Sequence, residues 1–230
     1  MKSPTTLNSD LQPTILTGLR HLCRLFWGPD PAQCSEILAG RFFEPFAGPD
    51  SGGESGAVAA LETIDRYLRT MPDANALFEA LETSYVRLFI SSRAGIGVPL
   101  YQSCYAFDGA PLMGPSAVRM QRRLEAVGLS LTGDASCEPP DHLAVELEYL
   151  YFLLEKGGRE KDPALIAEAA VFAETELGAW IDAFERRLFQ APDSALYAPA
   201  AFLTGALVSR IAHDTTADGD VPHNPPEPSP

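Results

Sequence analysis

Positive charge is scarce in this sequence: 17 Lys and Arg stand against 31 Asp and Glu, a formal net charge of −14. Surfaces for nucleic acid or anionic membrane need basic patches, so this balance argues against both as partners. Long apolar runs are missing as well. No stretch approaches the length of a membrane span, and the opening Met-Lys-Ser-Pro-Thr-Thr lacks the apolar core of a secretory signal. The expectation is a cytoplasmic protein with no membrane insertion. Cysteine is sparse too. Cys23, Cys34, Cys104 and Cys137 lie far apart without a Cys-x-x-Cys pair, which excludes a disulfide framework or zinc knuckle and predicts buried, reduced thiols. There is no Gly-rich phosphate loop, Gly-x-Ser-x-Gly, His-Glu-x-x-His or dinucleotide fingerprint, and no internal repeat.

Strand alternation is likewise absent, and what is present is helical period. Residues 14–27 carry Ile15, Leu19, Leu22 and Phe26 on one stripe. Asp30-Pro31 reads as a cap with proline in the first turn, opening a helix through about Phe43. After a Gly/Ser-rich loop at 48–56, helical spacing returns over 57–70. A fourth helix follows Pro72-Asp73 and runs to about Ile90. Residues 91–114 form the longest irregular stretch, and a loop of that length within a domain is usually functional. Pro115 restarts a helix to about Val127. The next runs from Asp141 to about Lys156, where Gly157-Gly158 is expected to end it. Asp162-Pro163 opens one long helix through Leu188, and a last helix spans about 194–211. The chain reads as all-α: one globular domain of about eight helices over residues 1–212, then a polar, Pro-rich tail from His213 expected to be disordered.

Two clusters stand out against this background. In the first, Glu138-Pro139-Pro140 delivers Asp141 and His142 to the start of a strongly apolar helix bearing Leu143, Leu147, Leu150 and Leu154. Asp141 is expected to cap that helix, a contribution of roughly 1 kcal/mol. Glu146 and Glu148 read as its solvated side. His142 and Glu146, four residues apart, have the spacing of a metal clip, and with Asp141 they would make a metal-dependent hydrolase. The second cluster combines Tyr85, Leu88 and Phe89 with Pro99, Leu100, Tyr101, Ser103 and Tyr105 of the long irregular stretch. Aromatic, proline and leucine groups there suit an apolar groove for an extended or helical peptide. The plainer reading makes Leu88 and Phe89 core, with the tyrosines covering its edge.

Taken in order, Tyr85-x-x-Leu-Phe, Pro99-x-Tyr-x-Ser-x-Tyr and Glu138-Pro-Pro-Asp-His-x-x-x-Glu-Leu resemble the TorD/DmsD/NarJ family of molybdoenzyme maturation chaperones. The likeness covers about residues 75–210 and includes Leu177, Trp180, Phe184 and Tyr197 downstream. It implies a TorD-like helical domain and a cytoplasmic, non-enzymatic chaperone with no cofactor or metal of its own. Its partner would be a molybdopterin-dependent oxidoreductase of anaerobic respiration, bound through the twin-arginine leader or the apoenzyme body, held for cofactor insertion and delayed in export. The resemblance places peptide contacts at Tyr85, Leu88, Pro99, Pro139, Asp141 and His142. Leu100 stands where some members carry tryptophan. Tyr101, Ser103, Tyr105, Glu138, Pro140 and Glu146 complete the candidate client surface, and Asp141 is expected to meet a leader arginine directly. A domain-swapped homodimer is also within the family's range. Two other readings stay open: the hydrolase above, and a general assembly adaptor of a respiratory complex.

Overall fold

The most apolar segment of the chain becomes the axis of the fold. The computed structural model describes residues 12–47, 55–90, 97–132 and 138–214, and in it helix α6 runs Leu143–Glu160. Leu143, Leu147, Leu150 and Leu154 are buried along one stripe, as the 3.6-residue period requires, and Val145, Tyr149 and Leu153 are buried on the remaining sides. Helix α1 (Gln12–Trp27) lies along α6, and α7 (Pro163–Phe172) returns against it. Helix α9 (Tyr197–Asp214) packs on α1, α7, α3 (Ser55–Leu68) and α8 (Ile181–Gln190). Helices α2 (Pro31–Leu38) and α4 (Ala74–Tyr85) pair, and α5 (Pro115–Ala126) packs against the 3₁₀ turn Gln102–Tyr105. Among the described residues there are nine α-helices and no strand, so the fold is all-α, and none of these helices is long and apolar enough to cross a membrane.

Local signals in the sequence set the starts of α2, α4 and α7. Asp30 accepts from the Gln33 amide with Pro31 in the first turn, Asp73 accepts from Ala76, and Asp162 accepts from Ala164 ahead of Pro163. Helix ends follow packing instead. The Gly157-Gly158 pair does not stop α6: the helix continues to Glu160 and ends on Lys161, in the left-handed region at φ 54°. Gly157 serves the approach of α7, because a Cβ there would lie 2.7 Å from Ile166 Cδ1. The helix expected to run unbroken from 163 to 188 is also interrupted. A π turn at Ala173–Leu177 closes on Gly178, where a Cβ would meet the Glu174 carbonyl oxygen at 2.6 Å, and α8 restarts at Ile181. The fourth helix ends the same way, in a π turn at Val86–Ile90 that buries Leu88 and Phe89. The second helix stops at Leu38, before the 3₁₀ turn Glu44–Phe46.

Cys23 and Cys34 are buried, Cys104 is half-buried, and all three are free thiols. Burial raises the pKa of each, Cys34 to about 11, so they remain protonated. Cys137 lies outside the described residues, as do 48–54 and 91–96 of the two expected loops and the tail beyond Asp214.

Candidate functional site

The two sequence clusters close on each other. Residues 100–102 and 141–143 run side by side as a single antiparallel bridge: the Gln102 amide donates to the Asp141 carbonyl at 3.0 Å, and the Leu143 amide to Leu100 at 2.7 Å. Asp141 is thereby carried inside, 0 % exposed, and it does not cap α6 as expected. One oxygen of its carboxylate, Oδ2, accepts from the Ser103 amide at 2.7 Å and from Ser116 Oγ at 2.8 Å. Ser103 belongs to the 3₁₀ turn before the irregular segment 106–114, and Ser116 to the first turn of α5 after it. A single buried carboxylate therefore staples that loop shut, with charge-assisted hydrogen bonds that are stronger than neutral ones.

The cap of α6 is the neighbouring His142, whose Nδ1 accepts from the Ala144 amide at 3.1 Å. An accepting Nδ1 places the ring proton on Nε2. The ring stacks on Trp27 at 4.7 Å and meets the Tyr101 ring edge-on at 5.2 Å. Burial lowers its pKa to about 4. In the unfolded chain the value is about 6.5. The native state thus holds the neutral ring. Its stabilising effect is complete above about pH 6.5 and is lost as pH falls towards 4, a total of ~3 kcal/mol. Glu146 acts in the opposite sense: burial raises its pKa well above 4.5, so its contribution is lost as pH rises. In urea titrations between pH 6.5 and 4, His142→Asn, which keeps a capping acceptor, is expected to lose less stability on acidification than the parent. An unchanged slope removes this role from His142.

Glu146 and Glu148 do not share the solvated face expected of them. Glu148 is exposed and accepts from Trp27 Nε1 at 2.7 Å, whereas Glu146 is buried and accepts from Trp180 Nε1 at 3.0 Å. The π turn after α7 aims Glu176 inward next to it. Glu176 takes Arg119 at 2.9 Å, Arg123 at 3.3 Å and Gln102 Nε2, and these hydrogen bonds outweigh burial and lower its pKa. Arg123 also pairs with Glu168 of α7. Among the described residues, no group of three His, Cys, Asp or Glu side chains converges as a metal site. The His142–Glu146 clip is not formed, because one ring nitrogen caps the helix and the carboxylate turns to Trp180.

The remaining candidates divide between core and rim. Leu88, Pro99, Leu100 and Pro140 are buried, and of these Leu88 lines a pocket of about 530 Å³ together with Val98, Arg87 and Arg187. Tyr85 is half-buried and donates to the Phe26 carbonyl at 3.0 Å. Tyr105 donates to the Pro99 carbonyl at 2.8 Å and carries the Arg187 guanidinium over its ring at 4.6 Å. Tyr101 donates to the Glu138 carboxylate at 2.7 Å, and burial raises the phenol pKa. Glu138 and Pro139 are half-buried at the surface, and the Pro139 carbonyl accepts from the His142 amide. Nothing in the sequence pattern singles out the tip of the stapled loop as exposed. Phe107 is 65 % exposed and Met113 61 %, and Leu112 and Val118 are also open to solvent. Met113 sits at φ 61°, in the left-handed region that a non-glycine residue rarely adopts. The sequence shows only three large apolar residues in a Gly/Pro-rich stretch, without the spacing to bury them on any helix face.

This arrangement falls within a stretch shared with known proteins. The family described as nitrate reductase delta subunit matches residues 52–186. The chain belongs to that family. The chaperone protein TorD of Vibrio cholerae serotype O1 is 31 % identical over 137 residues, covering 58 % of this chain and 61 % of the relative. The selenate reductase assembly chaperone protein of Thauera selenatis is 32 % identical over 142 residues, covering 57 % of this chain and 70 % of the relative. The chain thus spans about three fifths of the length of the TorD relative it matches. A protein of known structure from Archaeoglobus fulgidus, described as a redox enzyme maturation protein, superposes with TM-score 0.47 at 22 % identity over 87 % of this chain and 96 % of that one.

Proposed function

We propose that this chain is an assembly chaperone for a molybdopterin-dependent oxidoreductase, which it recognises in the cytoplasm through the client's twin-arginine leader before export. The observation that carries this reading is the loop stapled at Ser103 and Ser116 to buried Asp141, which holds Phe107, Leu112 and Met113 out to solvent. Such ordered, exposed apolar groups mark a binding surface, since an apolar side chain gains by being covered. A leader couples a cationic segment to an apolar one. The loop tip suits the apolar part, and Glu138 with the overall charge of −14 suits the arginines. Asp141, His142, Leu88, Pro99 and Leu100 act from within, by positioning the loop. The two chaperone relatives support this role.

Calorimetric titration with synthetic leaders tests it. An Arg-Arg leader from the client is expected to bind at micromolar strength or better, and a Lys-Lys control weakly, because guanidinium presents a planar fork of donors that an ammonium lacks. If no leader binds but the mature apoenzyme does, the contact lies on the client body. If neither binds, the chaperone reading is lost. An assembly adaptor without leader contact would retain a client fragment lacking the Arg-Arg pair.

A further inference from the structure

A second open apolar face is built from other elements. Helices α3, α8 and α9 enclose a groove of about 370 Å³. Small side chains line it, Ala59 and Ala60 of α3 and Ala198 of α9, together with Phe202 and Phe189. Phe202 settles against α3 because residue 56 is glycine: a Cβ there would stand 2.3 Å from the ring. Phe189 is 83 % exposed, the most open large apolar side chain among the described residues. One turn earlier on α8, Glu185 lines the same groove, half-buried, and it makes no ion pair among the described residues. Burial and the neighbouring Asp182 raise its pKa, against the opposing pull of Arg186.

An apolar groove with an unpaired carboxylate at its edge selects its occupant. A purely apolar or acidic segment would cover the Glu185 carboxylate without compensating it, which costs free energy. A second copy of this chain, also carrying −14, would meet it with like charge. We propose that the groove is a second docking site, for an amphipathic client segment whose apolar side chains cover Phe189 and Phe202 while one Lys or Arg reaches Glu185. This rests on the reading that the chain binds client polypeptide, but it involves none of the residues of the stapled loop.

Fluorescence anisotropy with a short labelled peptide of Leu and Lys at helical spacing, and a counterpart with Glu in place of Lys, tests it on the full chain. The Leu/Lys peptide is expected to bind. Ala59→Trp, which fills the groove from an exposed position, and Phe189→Ser are each expected to weaken it about tenfold or more. Glu185→Gln is expected to weaken the Leu/Lys peptide and to narrow its advantage over the Leu/Glu one. The double variant Phe107→Ser with Met113→Ser is expected to bind the Leu/Lys peptide as the parent does. Equal binding by parent and Ala59→Trp overturns the proposal, because the peptide is then held only by general acidic attraction. Equal binding of both peptides to the parent overturns the role of Glu185. Parent dimers in sedimentation that Phe189→Ser abolishes also overturn it, by making the groove an interface between copies. Loss of leader binding with this groove intact counts against the loop site alone.

Discussion

Asp141→Ala is expected to destabilise the fold by about 2–4 kcal/mol and to abolish client binding. The substitution leaves the Ser103 amide and the Ser116 hydroxyl buried without an acceptor, and each orphaned group costs about 1–3 kcal/mol. It also releases both ends of the loop that carries Phe107, Leu112 and Met113. Asp141→Asn separates the two roles this residue could play. The amide keeps an acceptor oxygen for the staple but carries no charge for a leader arginine. Because the carboxylate is 0 % exposed, Asn is expected to retain most of the stability and most of the binding. Urea unfolding and leader calorimetry on both variants read this out. Parent-like stability in Asp141→Ala would show that the loop is not held by this carboxylate. Loss of binding in a stable Asp141→Asn would show that the charge itself meets the client.

The double variant Phe107→Ser with Met113→Ser is expected to do the reverse: to weaken leader binding about a hundredfold while leaving folding unchanged. Covering a large apolar side chain contributes about 1.5–3 kcal/mol, so two lost contacts amount to at least that change in affinity. Both side chains are more than half exposed in the free chain, and surface replacements of this kind move stability by about 0.5 kcal/mol or less. Parent-like affinity in the double variant would remove the loop tip from the binding surface. A fall in the unfolding midpoint would mean that these side chains pack in solution.

The two variants together separate positioning from contact, a distinction the Glu138–Glu146 motif could not make as sequence. Composition and period alone determined the all-helical class, the buried stripe of α6, and the starts of α2, α4 and α7 at Asp30, Asp73 and Asp162. Those features depend on residues within a turn or two of one another, where spacing and local hydrogen bonding decide the outcome. The motif's order also pointed correctly to its family. Tertiary structure decided what each motif residue does. Asp141 looked like the cap and His142 did not, yet the donors that claim Asp141 lie 38 and 25 residues away in sequence, and His142 is left to take the Ala144 amide beneath Trp27. Gly157 and Gly158 looked like a helix stop, but Gly157 is a packing contact for Ile166 and Gly158 lies under Gln12, whose amide donates to the Leu154 carbonyl. Gly178, which helical spacing passed over, is where α7 breaks and Glu176 turns inward. A buried polar group takes whichever donor or acceptor the packed helices bring to it, and that pairing is set by contacts distant in the chain, which no local pattern encodes.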